Sequence, residues 1–377
     1  MAHNGKTRRV EERSISNLPA LVSALSSVDR ARFDRLFHVS RSVGELVPPE
    51  SMHAWITGHF GSVTAVERQV IVKTTNRVTM EGTLFNALRA SRPFESEHSS
   101  DIDALVSEGV GDPFCTPLTG TPADVFGRVE GKRAITAANV AKYDAFHSVV
   151  VFDEHNPLHF DEASVSDAMD VGLEWAHRVL DLDPEAKYFF FMWNCLWKSG
   201  ASILHGHAQV AATHDMHYAK IEGLRRQALE YRDRSGSGYF DDLVAVHRSL
   251  GLAVDAPGAT IISSLTPIKE KETLIIGDRL DANVERAAAR VLEQFVHHLG
   301  VTSFNLVVYL PPLAASEEDW SGFPCMVRIV DRGVPTNKTA DIGAMELYAA
   351  SVVSSDPFRV ADALKGLART GGVQRLQ

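Results

Sequence analysis

The residues whose types and spacing best suit catalysis form the stretch HGHAQ at positions 205–209. Because side chains alternate along a strand, strand conformation here would place His205, His207 and Gln209 on one face. A neutral imidazole nitrogen can attack a phosphorus centre and hold the transferred group as a phosphoramidate. The amide of Gln209 can donate to a phosphate oxygen whose charge grows during that attack. The pattern therefore predicts phosphoryl-group chemistry.

A loop of small residues precedes this stretch and adds groups suited to phosphate binding. Ser199 and Gly200 begin the sequence SGAS, in which backbone N–H groups and the hydroxyl of Ser202 can approach phosphates closely. Lys198 adjoins the loop and can neutralise a phosphate. Asn194 ends the preceding apolar strand, where it can orient a ribose or a phosphate.

Alternating histidines on a strand also occur in metal sites and on solvent-facing sheets, so the pattern leaves a second interpretation open. In that interpretation the chain is a metal-binding module that uses His205, His207, His214 and His217. The small-residue loop directly upstream favours phosphate chemistry instead.

The segment 194–209 resembles the active-site signature of galactose-1-phosphate uridylyltransferases. It resembles even more closely the Gly-Ala-Ser-x-x-His-x-His-x-Gln of diadenosine tetraphosphate phosphorylases, and both groups belong to the histidine-triad superfamily. The resemblance implies that His207 is the nucleophile, that Gln209 contacts the reacting phosphate, and that Asn194 and Ser202 bind phosphate or ribose. The catalytic candidates are therefore His207, His205, Gln209 and Ser202.

Two further segments carry the same resemblance, which extends over roughly residues 80–370. Residues 139–160 resemble the family's segment in which a strand ends in a His-Asn-Pro-like turn before the first long helix, and residues 340–347 resemble its closing Gly-x-Glu segment. Asn139 and Lys142, at the start of the first segment, are substrate-binding candidates.

A short predicted helix near residues 82–90 carries three more binding candidates. Family members use an N-terminal segment of this kind near the nucleotide, which would give binding roles to Asn86, Arg89 and Arg92. The alternative is a solvated helix face.

The resemblance also implies a structural zinc, with one departure from the family. Uridylyltransferases often carry a CxxC motif that holds zinc together with two histidines. This chain has Asp112 where the first cysteine would stand, so the implied ligands are Asp112, Cys115, His155 and His205. The alternative is that Cys115 is only a small buried apolar residue. A second, histidine-rich iron site of that family is not expected, since the strand at 304–309 has no histidine.

The order of predicted elements indicates an α+β protein made of two similar halves. Strand, strand, helix, strand, strand is predicted twice, at 133–138, 147–152, 162–181, 188–193 and 205–212, and again at 259–265, 273–277, 280–299, 303–310 and 325–331. We expect two histidine-triad-like halves, each an antiparallel sheet with a long helix, plus a helical N-terminal extension predicted over 17–46. The expected divisions are residues 1–80, 81–235 and 236–377.

Composition limits the class of protein. The 377 residues are 45% hydrophobic and 23% charged, which is typical of a globular chain, and the formal net charge is −10. That acidic balance argues against general nucleic-acid binding, which depends on clustered Lys and Arg. Three widely spaced cysteines suggest no disulfide framework. The sequence has no apolar run near the ~18 residues of a membrane span, so we expect a cytoplasmic protein, and the family resemblance implies a homodimer.

These observations predict a nucleotidyltransferase or phosphorylase that works through a covalent nucleotidyl-His207. The donor would be a diadenosine polyphosphate or a nucleotide sugar, and the acceptor orthophosphate or a sugar phosphate, with ping-pong kinetics. We expect the backbone carbonyl of His205 to accept a hydrogen bond from the His207 ring and so fix the attacking tautomer. The alternatives are a hydrolase of nucleotide conjugates and a non-catalytic nucleotide-binding sensor with the same fold.

Overall fold

The computed structural model describes residues 13–91, 102–338 and 342–366. The α-helices are α1 (Leu18–Ser23), α2 (Ser27–Leu36), α3 (His53–Phe60), α4 (Val63–Glu67), α5 (Ile102–Ser107), α6 (Pro117–Gly120), α7 (Glu162–Leu182), α8 (Ala219–Ser235), α9 (Tyr239–Leu250), α10 (Ala282–His297) and α11 (Pro357–Lys365). The strands are β1 (Phe37–Glu45), β2 (Arg68–Asn76), β3 (Gly82–Phe85), β4 (Ala134–Ala138), β5 (Phe146–Phe152), β6 (Tyr188–Asn194), β7 (His207–Thr213), β8 (Ala253–Ala256), β9 (Ala259–Ser263), β10 (Glu270–Gly277), β11 (Phe304–Tyr309), β12 (Cys325–Asp331) and β13 (Ala350–Val353).

A nine-stranded sheet runs through both halves of the chain. Its order is β4-β5-β7-β6-β11-β12-β10-β9-β8, and every neighbouring pair is antiparallel. The predicted α+β class and the repeated order of strands and helix are confirmed. The halves do not hold separate sheets, however, because β6 pairs with β11 from Asn194↔Asn305 to Phe191↔Val308.

The two long helices cover one face of this sheet. Helix α7 begins at the Asp161 cap, whose carboxylate accepts from the Ser164 N–H, and it buries Trp175 completely. Helix α10 buries Phe295 and packs against α7. Each such aromatic side chain contributes about 1.5–3 kcal/mol by leaving water. With this face filled, the functional groups of β5, β6 and β7 project from the opposite face, which we call the open face.

A second sheet covers the open face of the second half. Its order is β1-β2-β3-β13, and β13 runs parallel to β3 while the other pairs are antiparallel. An ion-paired group joins the two sheets, since Arg328 of β12 lies 3.0 Å from Glu81 and 3.0 Å from Glu272. Breaking a buried group of this kind costs about 3–5 kcal/mol, so the two sheets are held together firmly.

The predicted helix over 17–46 is wrong beyond Leu36. There the chain enters β1, which pairs with β2 from Phe37↔Asn76 to Glu45↔Arg68. A partner strand about 30 residues away decided this conformation, and local spacing of apolar residues carries no information about it. The N-terminal region is therefore not only helical. Residues 82–90 likewise form β3 and a 3-10 turn in place of the predicted α-helix.

The interface between α7 and α10 predicts a pH-dependent stability. Burial raises the pKa of Glu285 to about 7 from its ordinary 4.5, and the carboxylates of Asp170 and Asp281 add to the rise. The folded-state pKa is above the unfolded one, so the stabilising effect is complete below about pH 4.5 and is lost as pH rises through 7. We expect Glu285→Gln to melt at a higher temperature than the wild type at pH 8 and at a similar temperature at pH 4.5–5.

Thermal unfolding at the two pH values measures this directly. The matched control is Glu108→Gln, which changes an exposed carboxylate and should melt like the wild type at both. If Glu285→Gln gave the same melting difference between pH 5 and pH 8 as the wild type, a neutral Glu285 at the helix interface would be disproved.

Candidate active site

His207 is the first residue of β7 and lies between β5 and β6. The residue before it must be glycine, since a Cβ on Gly206 would come within 2.9 Å of the Glu154 carbonyl oxygen. The Nδ1–H of His207 donates to the backbone carbonyl of His205 at 2.8 Å, which confirms the predicted tautomer. The lone pair therefore resides on Nε2. Burial lowers the pKa of His207 below its usual value, so the ring is neutral and nucleophilic near pH 7.

Gln209 lies two residues along β7, on the same face. Its Oε1 accepts from the Tyr143 hydroxyl at 3.1 Å and lies 3.0 Å from Nε2 of His147. Neither contact uses the amide NH₂, which remains on the open face. Neither Tyr143 nor His147 was predicted from the sequence as a site residue. The signal for His147 that the sequence did contain is its place in the strand, two residues before Val149 and therefore on the same face as Val149.

The small-residue loop makes a sharp turn between β6 and β7. Leu196 has φ 67° and ψ 171°, a conformation that costs a non-glycine residue of order 1–3 kcal/mol. Gly200 has φ +106°, which favours glycine. The Ser199 hydroxyl donates to the Leu196 carbonyl at 2.8 Å, so it stabilises the turn. Ser202 is exposed, which leaves its hydroxyl accessible to a substrate.

A row of polar groups crosses the open face from His207 into the second half. Asn194 ends β6 beside His207, one position beyond the last registered pair of β6 and β7. Its Oδ1 accepts from Nδ2 of Asn305 at 2.6 Å, and Arg332 donates to Oδ1 of Asn305. The row ends at a cavity of about 310 Å³, whose lining includes Lys198, Lys269, Arg332, Asp331 and Glu346. Asn305 and Arg332 were not predicted as site residues.

An apolar cluster adjoins His207 on its other side. It consists of Ala137, Val149 and Val151, with Phe114 and Ile135 packed against them. Val151 is the registered partner of His207, and the Phe114 ring lies 5.1 Å from the imidazole ring. His207 thus lies between an apolar surface and a row of polar and charged groups.

The implied metal ligands come together in the structure. One ligand atom each from Asp112, Cys115, His155 and His205 lies within 4.8 Å of the others. The Cys115 sulfur is 3.4 Å from Nδ1 of His155 and 3.5 Å from Nδ1 of His205. Tetrahedral zinc with bonds of about 2.0–2.3 Å holds its ligand atoms about 3.3–3.8 Å apart. The separations in this group are close to that geometry.

The tautomers of the two histidines also fit a cation. Nε2–H of His155 donates to the Val106 carbonyl at 3.0 Å, and Nε2–H of His205 donates to the Phe152 carbonyl at 2.8 Å. Both Nδ1 lone pairs therefore face each other at 3.0 Å. Carbonyls behind histidine ligands are a common feature of metal sites. Oδ2 of Asp112 is buried without a hydrogen-bond partner in the described structure, as expected of a ligand atom. His205 lies just before β7, so its ring points to this group and away from the face of His207.

The remaining binding candidates do not all lie at this site. Nδ2 of Asn86 donates to Gln69, and its side chain lines a different cavity beside Ser14. Lys142 donates to the His147 carbonyl at 2.6 Å. Arg89 lines the 310 Å³ cavity, and Arg92 lies outside the described residues.

The alternative metal site would need His214 and His217 beside His205 and His207, but both have other partners. Nε2 of His214 is 2.8 Å from the Asp183 carboxylate. His217 is buried among aromatic rings that include Tyr188 and Trp320. In the described residues, the grouping of possible metal ligands is therefore the one around Cys115.

The second half has no counterpart of His207. Strand β12 takes the place of β7, and its residues Cys325, Val327 and Ile329 pack toward the long helices. The residues between them, Met326, Arg328 and Val330, face the other side and include no histidine. The chemistry predicted for His207 is therefore not repeated on this strand.

Similar solved structures support the fold. An ADP-glucose phosphorylase from Arabidopsis thaliana with bound ADP-glucose is 15% identical, with a TM-score of 0.58 over 79% of this chain and 97% of that chain. A GalT-like protein from Arabidopsis thaliana is 16% identical, with a TM-score of 0.58 over 77% and 97%. A uridylyltransferase is 15% identical, with a TM-score of 0.56 over 80% and 98%. No protein-family model and no curated protein matches the sequence. The chain therefore has the uridylyltransferase fold, as its sequence predicted.

Proposed function

We propose that this chain is a nucleotidyltransferase that moves a nucleoside monophosphate between phosphorylated partners through a covalent nucleotidyl-His207. The observation that carries the proposal is the His207 ring itself, whose Nδ1–H is held by the His205 carbonyl so that the Nε2 lone pair is free. A non-catalytic sensor would have no need of that arrangement. The proposal agrees with the fold shared with an ADP-glucose phosphorylase and a uridylyltransferase.

The reaction proceeds in two balanced displacements. Nε2 of His207 attacks the α-phosphorus, a P–N bond forms, and the bond from phosphorus to the leaving phosphate oxygen breaks. A phosphate oxygen of the acceptor then attacks the same phosphorus, the P–N bond breaks, and His207 returns to its neutral form. The NH₂ of Gln209, the Ser202 hydroxyl and the backbone N–H groups of 202–204 stabilise the oxygens as their charge grows. The N–H groups of 199–201 donate to carbonyls within the turn and serve its conformation.

The surroundings of His207 suit the two ends of a nucleotide conjugate. The apolar cluster of Ala137, Val149 and Val151 would support the nucleoside, and the row from Asn194 to Arg332 would bind the leaving and accepting phosphates. We propose a nucleotide sugar or dinucleoside polyphosphate as donor, and orthophosphate or a sugar phosphate as acceptor. The resemblance to uridylyltransferases further suggests a homodimer, which sedimentation would test.

Incubation with a panel of α-phosphate-labelled nucleotides and nucleotide sugars tests the proposal. Intact mass should show an acid-labile adduct of one nucleoside monophosphate, released by the acceptor. Loss of the adduct to water alone would indicate the hydrolase. Nucleotide binding with no adduct from any donor would indicate the sensor.

Arg332 provides a prediction about the phosphate side. Arg332→Gln removes a cation from the subsite shared by the leaving phosphate and the acceptor phosphate. A hydrogen bond between charged groups is worth about 1.5–3 kcal/mol, so we expect KM for both donor and acceptor to rise roughly 10-fold or more, with kcat changed less. The control is Arg234→Gln, whose side chain is 77% exposed and which should not alter either KM. An unchanged acceptor KM in Arg332→Gln would contradict the assignment.

A structural zinc is the second part of the proposal. Asp112, Cys115, His155 and His205 fit it in number, spacing and tautomer. Bound there, the ion would fix the loop that carries Phe114 against His207 and would take no part in the transfer itself.

A further inference from the structure

The position of His147 relates it directly to Gln209. His147 is the second residue of β5 and is fully buried. Val149, two residues further on, is the registered partner of Gln209. His147 and Gln209 are therefore diagonal neighbours on the open face, and 3.0 Å separates Nε2 of the ring from Oε1 of the amide.

The backbone determines which nitrogen of His147 carries the proton. The N–H of Tyr143 points at Nδ1 across 3.4 Å. A peptide N–H can only donate, and its direction is fixed by the planar peptide. Nδ1 is therefore the acceptor, and in the neutral ring Nε2 carries the hydrogen. The amide nitrogen of Asn139 lies 3.2 Å from Nε2 and, since its Oδ1 is engaged by the Ala141 N–H, it presents a second donor to that atom. The shorter contact of Nε2, at 3.0 Å, is with the acceptor Oε1 of Gln209, and it agrees with a proton on Nε2.

A second donor holds the same amide oxygen. The Tyr143 hydroxyl lies 3.1 Å from Oε1 of Gln209, and its ring packs on His147 with centroids 3.7 Å apart. Burial raises the pKa of Tyr143 well above its usual value, so the phenol keeps its proton. With both donors on Oε1, the NH₂ of Gln209 faces the open side.

We propose that His147 is a positioning residue, which holds Oε1 of Gln209 through Nε2–H and so directs the Gln209 NH₂ toward the reacting phosphate. The inference rests on the proposed function, because it assigns Gln209 to that phosphate. A rotated amide would turn its oxygen, which carries a partial negative charge, toward a phosphate that is itself gaining negative charge. Without the Nε2–H donor only the Tyr143 hydroxyl remains on the amide. A hydroxyl can donate to the oxygen or accept from the NH₂, so both orientations become accessible and part of the transition-state stabilisation is lost.

Two substitutions separate this role from a role in packing. His147→Phe keeps a ring but removes the donor, and we expect adduct formation on His207 to slow roughly 10- to 100-fold while donor KM changes little. His147→Gln places an amide N–H near the position of Nε2–H and should recover most of that loss. Equal loss in both variants, or full activity in His147→Phe, would overturn the proposal.

A measurement on the unmodified protein keeps the test independent of activity. In the full chain labelled with ¹⁵N-histidine, long-range ¹H–¹⁵N correlation spectra report the tautomer of each ring. We expect His147, assigned by the missing signal in His147→Gln, to carry its proton on Nε2. A proton on Nδ1 would overturn the inference even if the adduct forms. If no nucleotide forms an adduct while the Nε2–H tautomer is seen, the proposed function fails. The hydrogen bond from His147 to Gln209 would then be present without a role in transfer.

Discussion

His207→Ala is expected to abolish the nucleotidyl adduct and to lower turnover by roughly 10⁴- to 10⁶-fold, the range seen when an enzyme loses its nucleophile. The reason is specific to the geometry, since Nε2 of His207 is the ring atom left free by the bond to the His205 carbonyl. In the described site, His205 has its own Nδ1 in the group around Cys115. It therefore cannot replace His207 at the phosphorus.

Intact mass and the release of the leaving group in a single turnover measure this effect. The matched control is His214→Ala, which removes a histidine bonded to Asp183 in the turn after β7 and should form the adduct normally. Circular dichroism and melting temperature show that His207→Ala is folded. An adduct in folded His207→Ala would place the nucleophile on another residue and end the proposed mechanism.

The second large effect concerns the group of Asp112, Cys115, His155 and His205. We expect about one zinc per chain in the purified protein and none in Cys115→Ala. Loss of a structural metal removes folding free energy. For a chain of this size, a loss of about 3–5 kcal/mol lowers the melting temperature by roughly 4–6 °C. Because Phe114 precedes Cys115 and packs on His207 at 5.1 Å, adduct formation should slow as well.

Metal analysis and thermal unfolding, before and after treatment with a chelator, provide the measurements. Cys195→Ala is the matched control, because Cys195 is a buried cysteine outside the ligand group, and it should retain zinc. Asp112→Cys should retain zinc too, since it replaces a carboxylate by a thiolate, which zinc also binds. A wild-type chain without zinc, whose melting temperature does not respond to added zinc or to chelator, would show that the four residues form only a hydrogen-bonded group.

The placement of the candidate residues was predictable where it depends on local sequence. The HGHAQ pattern placed His207 and Gln209 on one face of a strand, and strand geometry was enough for that. His205 departs from the same expectation, because β7 begins two residues later, at His207. The repeated order of strands and helix was also readable, since the long amphipathic helices α7 and α10 have strong periodicity.

The rest of the site depends on contacts between distant segments. Asn305 contacts Asn194 across 111 positions of the chain. Arg332 donates to Asn305 from 27 positions further along, just after β12. No spacing within either segment predicts these contacts, because strand pairing decides them. His147 and Tyr143 are close in sequence to the predicted Asn139 and Lys142, but their partner Gln209 is on another strand. The helical assignment of Phe37–Glu45 failed for the same reason, since its partner is β2.

The pairing of β6 with β11 has a consequence for each half as a separate fragment. Strand β6 has the sequence YFFFMWN, which is rich in aromatic residues and has no charge. In the whole chain it is a central strand with partners on both sides. A fragment that ended before β11 would leave this strand as an unprotected sheet edge, the kind of surface that recruits other chains into aggregates. By pairing with β6, the second half therefore protects an apolar strand of the first half from pairing with other chains.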